Sequence, residues 1–153
     1  MATPVAVDLD GALCDTRPLW NDWLSAAQGT LGIGGAELPV DRGEAAAELD
    51  RRGGGNWRVL LERFSEERAA VYVRRDASTS AALKRLSSGG REIGVYSDAP
   101  AVLATVALAQ LGADRHVVAV ETGAGALDRL LERLGRETEI VRSRYELLEQ
   151  AAA

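Results

Sequence analysis

The run Val5-Ala6-Val7-Asp8-Leu9-Asp10-Gly11-Ala12-Leu13-Cys14-Asp15-Thr16 constrains this chain more than any other stretch. An apolar strand there ends in two carboxylates one residue apart, followed at once by glycine. Side chains alternate along a strand, so Asp8 and Asp10 are expected on the same side at its carboxyl end, where open α/β sheets bind ligands. Gly11 lets the backbone turn sharply, and its amide is expected to face an anion held between the two acids.

Beyond this strand the pattern turns helical. Thr16 is a candidate cap for a helix with Pro18 in its first turn, and Trp20, Trp23, Leu24, Ala27 and Leu31 share one helical face. The spacing predicts a helix to about Gln28, a glycine-rich loop over Gly29–Gly35, and a shorter helix marked by Ala45, Ala46 and Leu49. That helix is ended by Gly53-Gly54-Gly55. A third helix, from Asn56 to about Arg74, carries Trp57, Leu60, Leu61, Phe64, Val71 and Tyr72 at helical spacing. No strand signal appears between residues 17 and 75, so this region reads as a helical insertion over the end of the first strand.

The remainder alternates. Ser78 or Thr79 is read as the cap of a helix through Leu86, and Glu92–Tyr96 as a buried strand leading to Ser97-Asp98-Ala99-Pro100. Asp98 is a natural cap for the apolar helix Ala101–Leu111, which stops at Gly112. A strand over Val117–Val120, a helix over about Gly125–Leu134, a last strand over Glu139–Val141 and a terminal helix complete the chain. Strands separated by helices imply an α/β fold with a parallel, doubly wound sheet and right-handed crossovers.

These residues resemble the haloacid dehalogenase-like (HAD) hydrolases, whose first motif is Asp-x-Asp-Gly-x-apolar after an apolar strand. The resemblance implies a Rossmann-like core, 1–16 with 76–153, carrying a helical cap over 17–75. It assigns Asp8 as the nucleophile that accepts a phosphoryl group and Asp10 as general acid/base, and having Asp at the second position is similar to the phosphatase branch. The chemistry stands independently: a carboxylate acceptor splits one hard displacement into two easier ones, and a second carboxyl handles the protons. Ser97 matches the family's second motif, whose hydroxyl and adjacent amide hold the transferring group. Asp98 follows where many relatives carry Asn. Its extra negative charge calls for an inward turn as a helix cap or for a metal. Mg²⁺ is the implied cofactor, with Asp8 and the Asp10 carbonyl as ligands.

Two family motifs are degraded. Relatives carry a lysine after the second motif; here the only lysine is Lys84, ahead of it, and Glu121 stands near the place where the lysine is sought. Arg115 belongs to the opposite end of its strand. Relatives also end the next strand in metal-binding aspartates, whereas here Ile140-Val141 runs into Arg142-Ser143-Arg144. Arg142 and Arg144 read either as a solvated helix start or as a substitute phosphate ligand. Cys14 and the sole histidine, His116, are set aside as a nucleophile pair because His116 falls at the wrong strand end. The three tryptophans read as packing among the inserted helices, with a place in the pocket wall as the alternative.

Composition narrows the class. A length of 153 residues suits one compact domain, and a formal net charge of −5 with a pI near 5.0 argues against a nucleic-acid surface. No basic run suggests an anionic membrane. One cysteine excludes an intrachain disulfide, and with neither a signal peptide nor a spanning segment read, the expected compartment is the cytoplasm. Two functions fit: a phosphohydrolase acting on a small phosphorylated molecule through an aspartyl-phosphate, or an inactive relative that binds a phospho-ligand or a protein partner.

Overall fold

The structure, a computed structural model, describes residues 2–31, 38–52 and 55–153. Four strands, β1 (Val5–Asp8), β2 (Ile93–Ser97), β3 (Ala119–Thr122) and β4 (Glu139–Val141), form one parallel sheet in the order β3-β2-β1-β4. The register pairs Asp8 with Tyr96, Val7 with Val141 and Ser97 with Thr122, so the carboxyl ends finish level. The order reverses beside β1, which makes the carboxyl end of β1 the crevice where such sheets bind ligands.

Helices cover both faces, as the alternating pattern predicts. Val5, Val7, Ile93, Val95 and Val141 pack on one side with Leu83 and Leu86 of α4 (Ala77–Ser88), Ala104 and Leu108 of α5 (Ala101–Leu111), and Leu147 of α7 (Arg144–Ala152). The alternate residues Ala6 and Tyr96 meet Leu130 of α6 (Ala126–Leu134) on the other. At Gly94 a Cβ would lie 2.6 Å from Leu130 and 2.8 Å from Leu134, so glycine here is what lets α6 sit close to the sheet.

Between β1 and α4 lie α1 (Arg17–Leu31), α2 (Arg42–Arg51) and α3 (Trp57–Tyr72), with no strand among the described residues of this stretch. Trp20, Trp23 and Trp57 form its centre, with ring centroids 5.3 to 6.5 Å apart. They pack with Leu19, Leu49 and Leu61 against Ala99 and Leu103 at the start of α5, so the insertion shares a core with the sheet domain. The Trp57 indole N–H is satisfied by Asp50 at 2.9 Å. No helix of the described residues is long and apolar enough to cross a membrane.

Several caps differ from expectation. Asp76, rather than Ser78 or Thr79, caps α4 by accepting from the Thr79 amide at 2.9 Å. Pro100 precedes α5 with no side-chain cap, because the Asp98 carboxylate is drawn elsewhere. Thr16 turns its hydroxyl to Asp10, and Asp15 accepts from the Arg17 amide at 3.1 Å instead. The strand expected over Val117–Val120 forms two residues later, since Asp114–His116 make a tight helical turn closed by the Val117 amide. The first helix continues to Leu31, beyond the expected Gln28, and the second starts at Arg42. Most of the expected Gly29–Gly35 loop and Gly53-Gly54 of the triple-glycine stop lie outside the described residues.

Candidate active site

Strand β1 ends at Asp8, and the chain then makes a compact turn over Leu9–Leu13 in which Asp10 is extended and Gly11 has φ 117°. That φ favours glycine, and a Cβ there would also stand 2.7 Å from the Arg142 carbonyl, so the turn needs glycine twice over. The Gly11 amide donates to the Cys14 carbonyl at 2.8 Å. It closes the turn, and the expectation that it faces an anion is corrected accordingly. Leu9, Ala12 and Leu13 are buried, which pins the turn to the core.

The turn brings Asp8 and Asp10 together. The Asp10 amide donates to Asp8 Oδ1 at 3.1 Å, and both side chains line a cavity of about 790 Å³ with Ser97, Asp98 and Trp20. Asp10 accepts four hydrogen bonds. Oδ1 takes the Thr16 amide and hydroxyl, each at 2.7 Å, and Oδ2 takes the Ser97 hydroxyl at 3.0 Å and Arg42 Nη2 at 2.5 Å. A carboxylate has about four acceptor positions, so Asp10 is saturated. Asp8 accepts only the one amide among the described residues, which leaves Oδ2 open.

Arg42, the first residue of α2, is the group that the sequence reading missed. It is 2% exposed, yet it reaches three residues of the core. Besides Asp10, it donates from Nε and Nη2 to Asp98 Oδ1 at 3.1 and 2.8 Å, and from Nη1 to the Thr16 hydroxyl at 2.7 Å. Its backbone amide donates to Asp98 Oδ2 at 3.0 Å. Asp98 therefore does not cap α5: it holds Arg42. Nothing local marked Arg42, which stands in a stretch with no motif. The only hint was Asp98 itself, an acid in need of a cation.

The electrostatics follow from burial and these partners. Burial, the largest influence on Asp8, pushes its pKa from 3.8 up to about 6; the hydrogen bond from the Asp10 amide works against the rise, and the charges of Asp10 and Asp98 add to it. Burial also works against ionised Asp98, but the Arg42 side chain and amide outweigh it and hold that carboxyl below the usual range. For Arg42 the sign is reversed: burial opposes the charge, and Asp10 and Asp98 more than restore it.

Ser97 is 3% exposed, and its hydroxyl accepts the Ala99 amide at 3.1 Å while donating to Asp10. Glu121 is held at 2.9 Å by Arg129 and at 2.8 Å by Arg133, so no free cation stands at the end of β3 among the described residues. Arg144 lies 3.8 Å from Asp76, and Arg142 acts on Asp8 through its charge alone. Lys84, Arg115 and His116 line a separate pocket. Burial pushes the Cys14 thiol up to about 12, which removes it as a nucleophile. Among the described residues no three His, Cys, Asp or Glu are grouped to hold a metal ion.

No family model matches the chain, and no curated protein matches its sequence. Solved structures do match its fold. CbbY from Rhodobacter sphaeroides, solved in complex with phosphate, aligns with a TM-score of 0.66 at 12% identity over 99% of this chain and 84% of its own. A HAD phosphatase from Thermococcus onnurineus aligns at 0.55, with 17% identity over 97% of each chain. A haloacid dehalogenase-like family hydrolase from Streptococcus pneumoniae aligns at 0.58, with 13% identity over 98% of this chain and 81% of its own. In fold, therefore, the chain is similar to these solved proteins, which include a HAD phosphatase and a haloacid dehalogenase-like hydrolase.

Proposed function

We propose that the cavity at the end of β1 takes a small phosphorylated molecule and that Asp8 is the nucleophile of a phosphohydrolase. The observation that carries this reading is the contrast among three clustered carboxylates: Asp10 is saturated with donors, Asp98 is tied to Arg42, and Asp8 keeps an open oxygen on the cavity. With its pKa at about 6, Asp8 is mostly ionised at neutral pH, as a nucleophile must be.

In the first step an Asp8 oxygen forms a bond to phosphorus as the ester P–O bond breaks, and the departing oxygen takes up a proton. In the second, water attacks the aspartyl-phosphate at phosphorus, its proton is removed, and phosphate leaves with Asp8 regenerated. Ser97 lines the cavity, and its single hydroxyl proton, donated to Asp10 in this structure, turns to a phosphoryl oxygen only when Asp10 releases it. A proton-transfer role for Asp10 requires it to release one of its four donors when substrate enters. The helices α1–α3 act as the cap, with Trp20 in the cavity wall.

Mg²⁺ asks for octahedral oxygen coordination, usually including one or two carboxylates. Here Asp8 offers a free carboxylate oxygen, while the Asp10 side chain is saturated and Asp98 is bonded to Arg42, so the protein supplies at most one open carboxylate, with the Asp10 carbonyl, for an Mg²⁺ that would lend positive charge to the phosphoryl group; no step is routed through it.

The test is hydrolysis of a panel of phosphomonoesters by the wild type and Asp8→Asn, each in EDTA and in Mg²⁺. Turnover that disappears in the variant supports the reading, and equal rates in the two proteins overturn it. The saturation of Asp10 favours one second reading, a protein that binds a phosphorylated ligand without turnover. Phosphate affinity with no hydrolysis, unchanged in Asp8→Asn, would decide for it.

A further inference from the structure

We infer that Arg42 is the resident counter-charge of this site, standing where the resemblance led us to seek a lysine and a metal ion, and that the site holds a phosphate group without a divalent cation. The inference rests on the reading of the cavity as a phosphate site. Three carboxylates meet at the cavity, and an anionic ligand adds to their repulsion unless positive charge is built in. The chain has one lysine, on α4 and in another pocket; Arg129 and Arg133 are spent on Glu121, and Arg17, which also lines the cavity, is paired with Asp15 at 2.7 Å. Arg42 is the one cation in contact with two of the three acids among the described residues.

Its geometry is specific. The guanidinium and backbone amide together make five hydrogen bonds, to Asp10, Asp98 and Thr16. These turn both acids onto the protein and away from the open side of Asp8. They also occupy the side-chain oxygens of Asp10 and Asp98, so two of the three acids are neutralised by the protein and not by a metal. Arg42 is thus a positioning residue, acting on the ligand through the charge and orientation of Asp10 and Asp98. Its placement depends on Gly43: a Cβ there would stand 2.5 Å from the Ala124 amide nitrogen, so glycine lets α2 press its first turn against the loop before α6. That is the loop where relatives are expected to carry the lysine. In this chain the cation comes from the start of α2, which packs against that loop.

The experiment titrates inorganic phosphate by calorimetry into the wild type, Arg42→Lys, Asp8→Asn and the double variant Arg42→Met/Asp98→Asn, in EDTA and in Mg²⁺. The double variant removes both charges of the pair, so its folding is checked by circular dichroism before it is used. Mn²⁺ uptake by the same proteins is followed by electron paramagnetic resonance. The expected result is phosphate binding by the wild type in EDTA. Affinity should fall roughly 10- to 100-fold in the double variant, the factor for losing a charged hydrogen-bonding group, and Arg42→Lys should recover part of it. The wild type takes up no stoichiometric Mn²⁺. Phosphate binding that requires Mg²⁺, a double variant that binds as tightly as the wild type in EDTA, or Arg42→Lys no better than the double variant would each overturn the inference. A wild type that binds no phosphate overturns it together with the phosphate-site reading. Arg42-dependent binding without any turnover overturns only the hydrolase.

Discussion

Two ion networks in this molecule have mirrored compositions and different burial. At the end of β1, one arginine joins two aspartates, and the side-chain exposures are 2% for Arg42, 9% for Asp10 and 40% for Asp98. At the edge of the sheet, one glutamate joins two arginines, with 18% for Glu121, 45% for Arg129 and 51% for Arg133. The distances are alike and the consequences are not. Exposed pairs are screened by water and salt and contribute little. A buried guanidinium has lost its hydration and depends on its acids, so the first network dictates where the chain goes and the second follows it.

The largest expected effect tests the one carboxylate that Arg42 does not reach. Asp8→Asn should lower phosphomonoester turnover by a factor on the order of 10⁴ or more, the scale of removing a nucleophile. If hydrolysis survives, Asp8 is only another member of the buried cluster. Next comes the buried network itself: Arg42→Met should cost about 3–5 kcal/mol of folding free energy by leaving Asp10 and Asp98 uncompensated, read from urea unfolding at pH 7. Restoration of part of that loss in Arg42→Met/Asp98→Asn would confirm that the loss came from stranded charge.

Gly43→Ala should cost about 1–3 kcal/mol by overpacking α2 against Ala124, and should weaken phosphate binding alongside because Arg42 moves with the helix. Unchanged binding would uncouple the helix position from the site.

The pH dependence isolates Asp8. Between pH 4 and 6 the unfolded chain has given up this proton while the folded chain keeps it, so stability falls as pH rises through that window. Asp8→Asn should therefore stabilise the protein at pH 8 by about 1–2 kcal/mol, discounted because the group is half-exposed, and the gain should vanish below about pH 4. Turnover should rise with pH through about 6, as the nucleophile ionises, and then level. A flat profile would leave Asp8 without the role proposed. Smallest of all, Glu121→Gln should cost under about 1 kcal/mol, and the effect should fade in 0.5 M salt. A loss matching that of Arg42→Met would erase the contrast between the two networks.

Much of the architecture was legible from residue pattern. Apolar runs at Val5–Val7 and Ile93–Tyr96, and the helices around them, are determined by periodicity and by local punctuation such as Gly112 and Gly135. Caps were harder. Thr16, Thr79 and Asp98 all have the right chemistry for a helix start, and each was diverted or displaced by a partner distant in sequence or by a better-placed neighbour. For the site, Asp8 and Asp10 were named from their place at a strand end, and Ser97, with Asp98 after it, from a resemblance to a family motif; the register of β1 and β2 brings all four to one cavity. Gly11 was placed correctly as a turn, with its amide turned to Cys14.

By itself, then, the sequence determined where strands end and which acids stand there, because side-chain alternation and glycine turns act within a few residues. Tertiary structure decided how those acids are balanced. Arg42 is 32 residues from Asp10 and 56 from Asp98, in an insertion whose own helical pattern does not point to them. Only the packing of Trp20, Trp23 and Trp57 against the start of α5, with Gly43 allowing α2 close to Ala124, brings that guanidinium between two carboxylates. Charge compensation in a buried cluster is a property of distance through space, and the chain's local pattern carries no record of it.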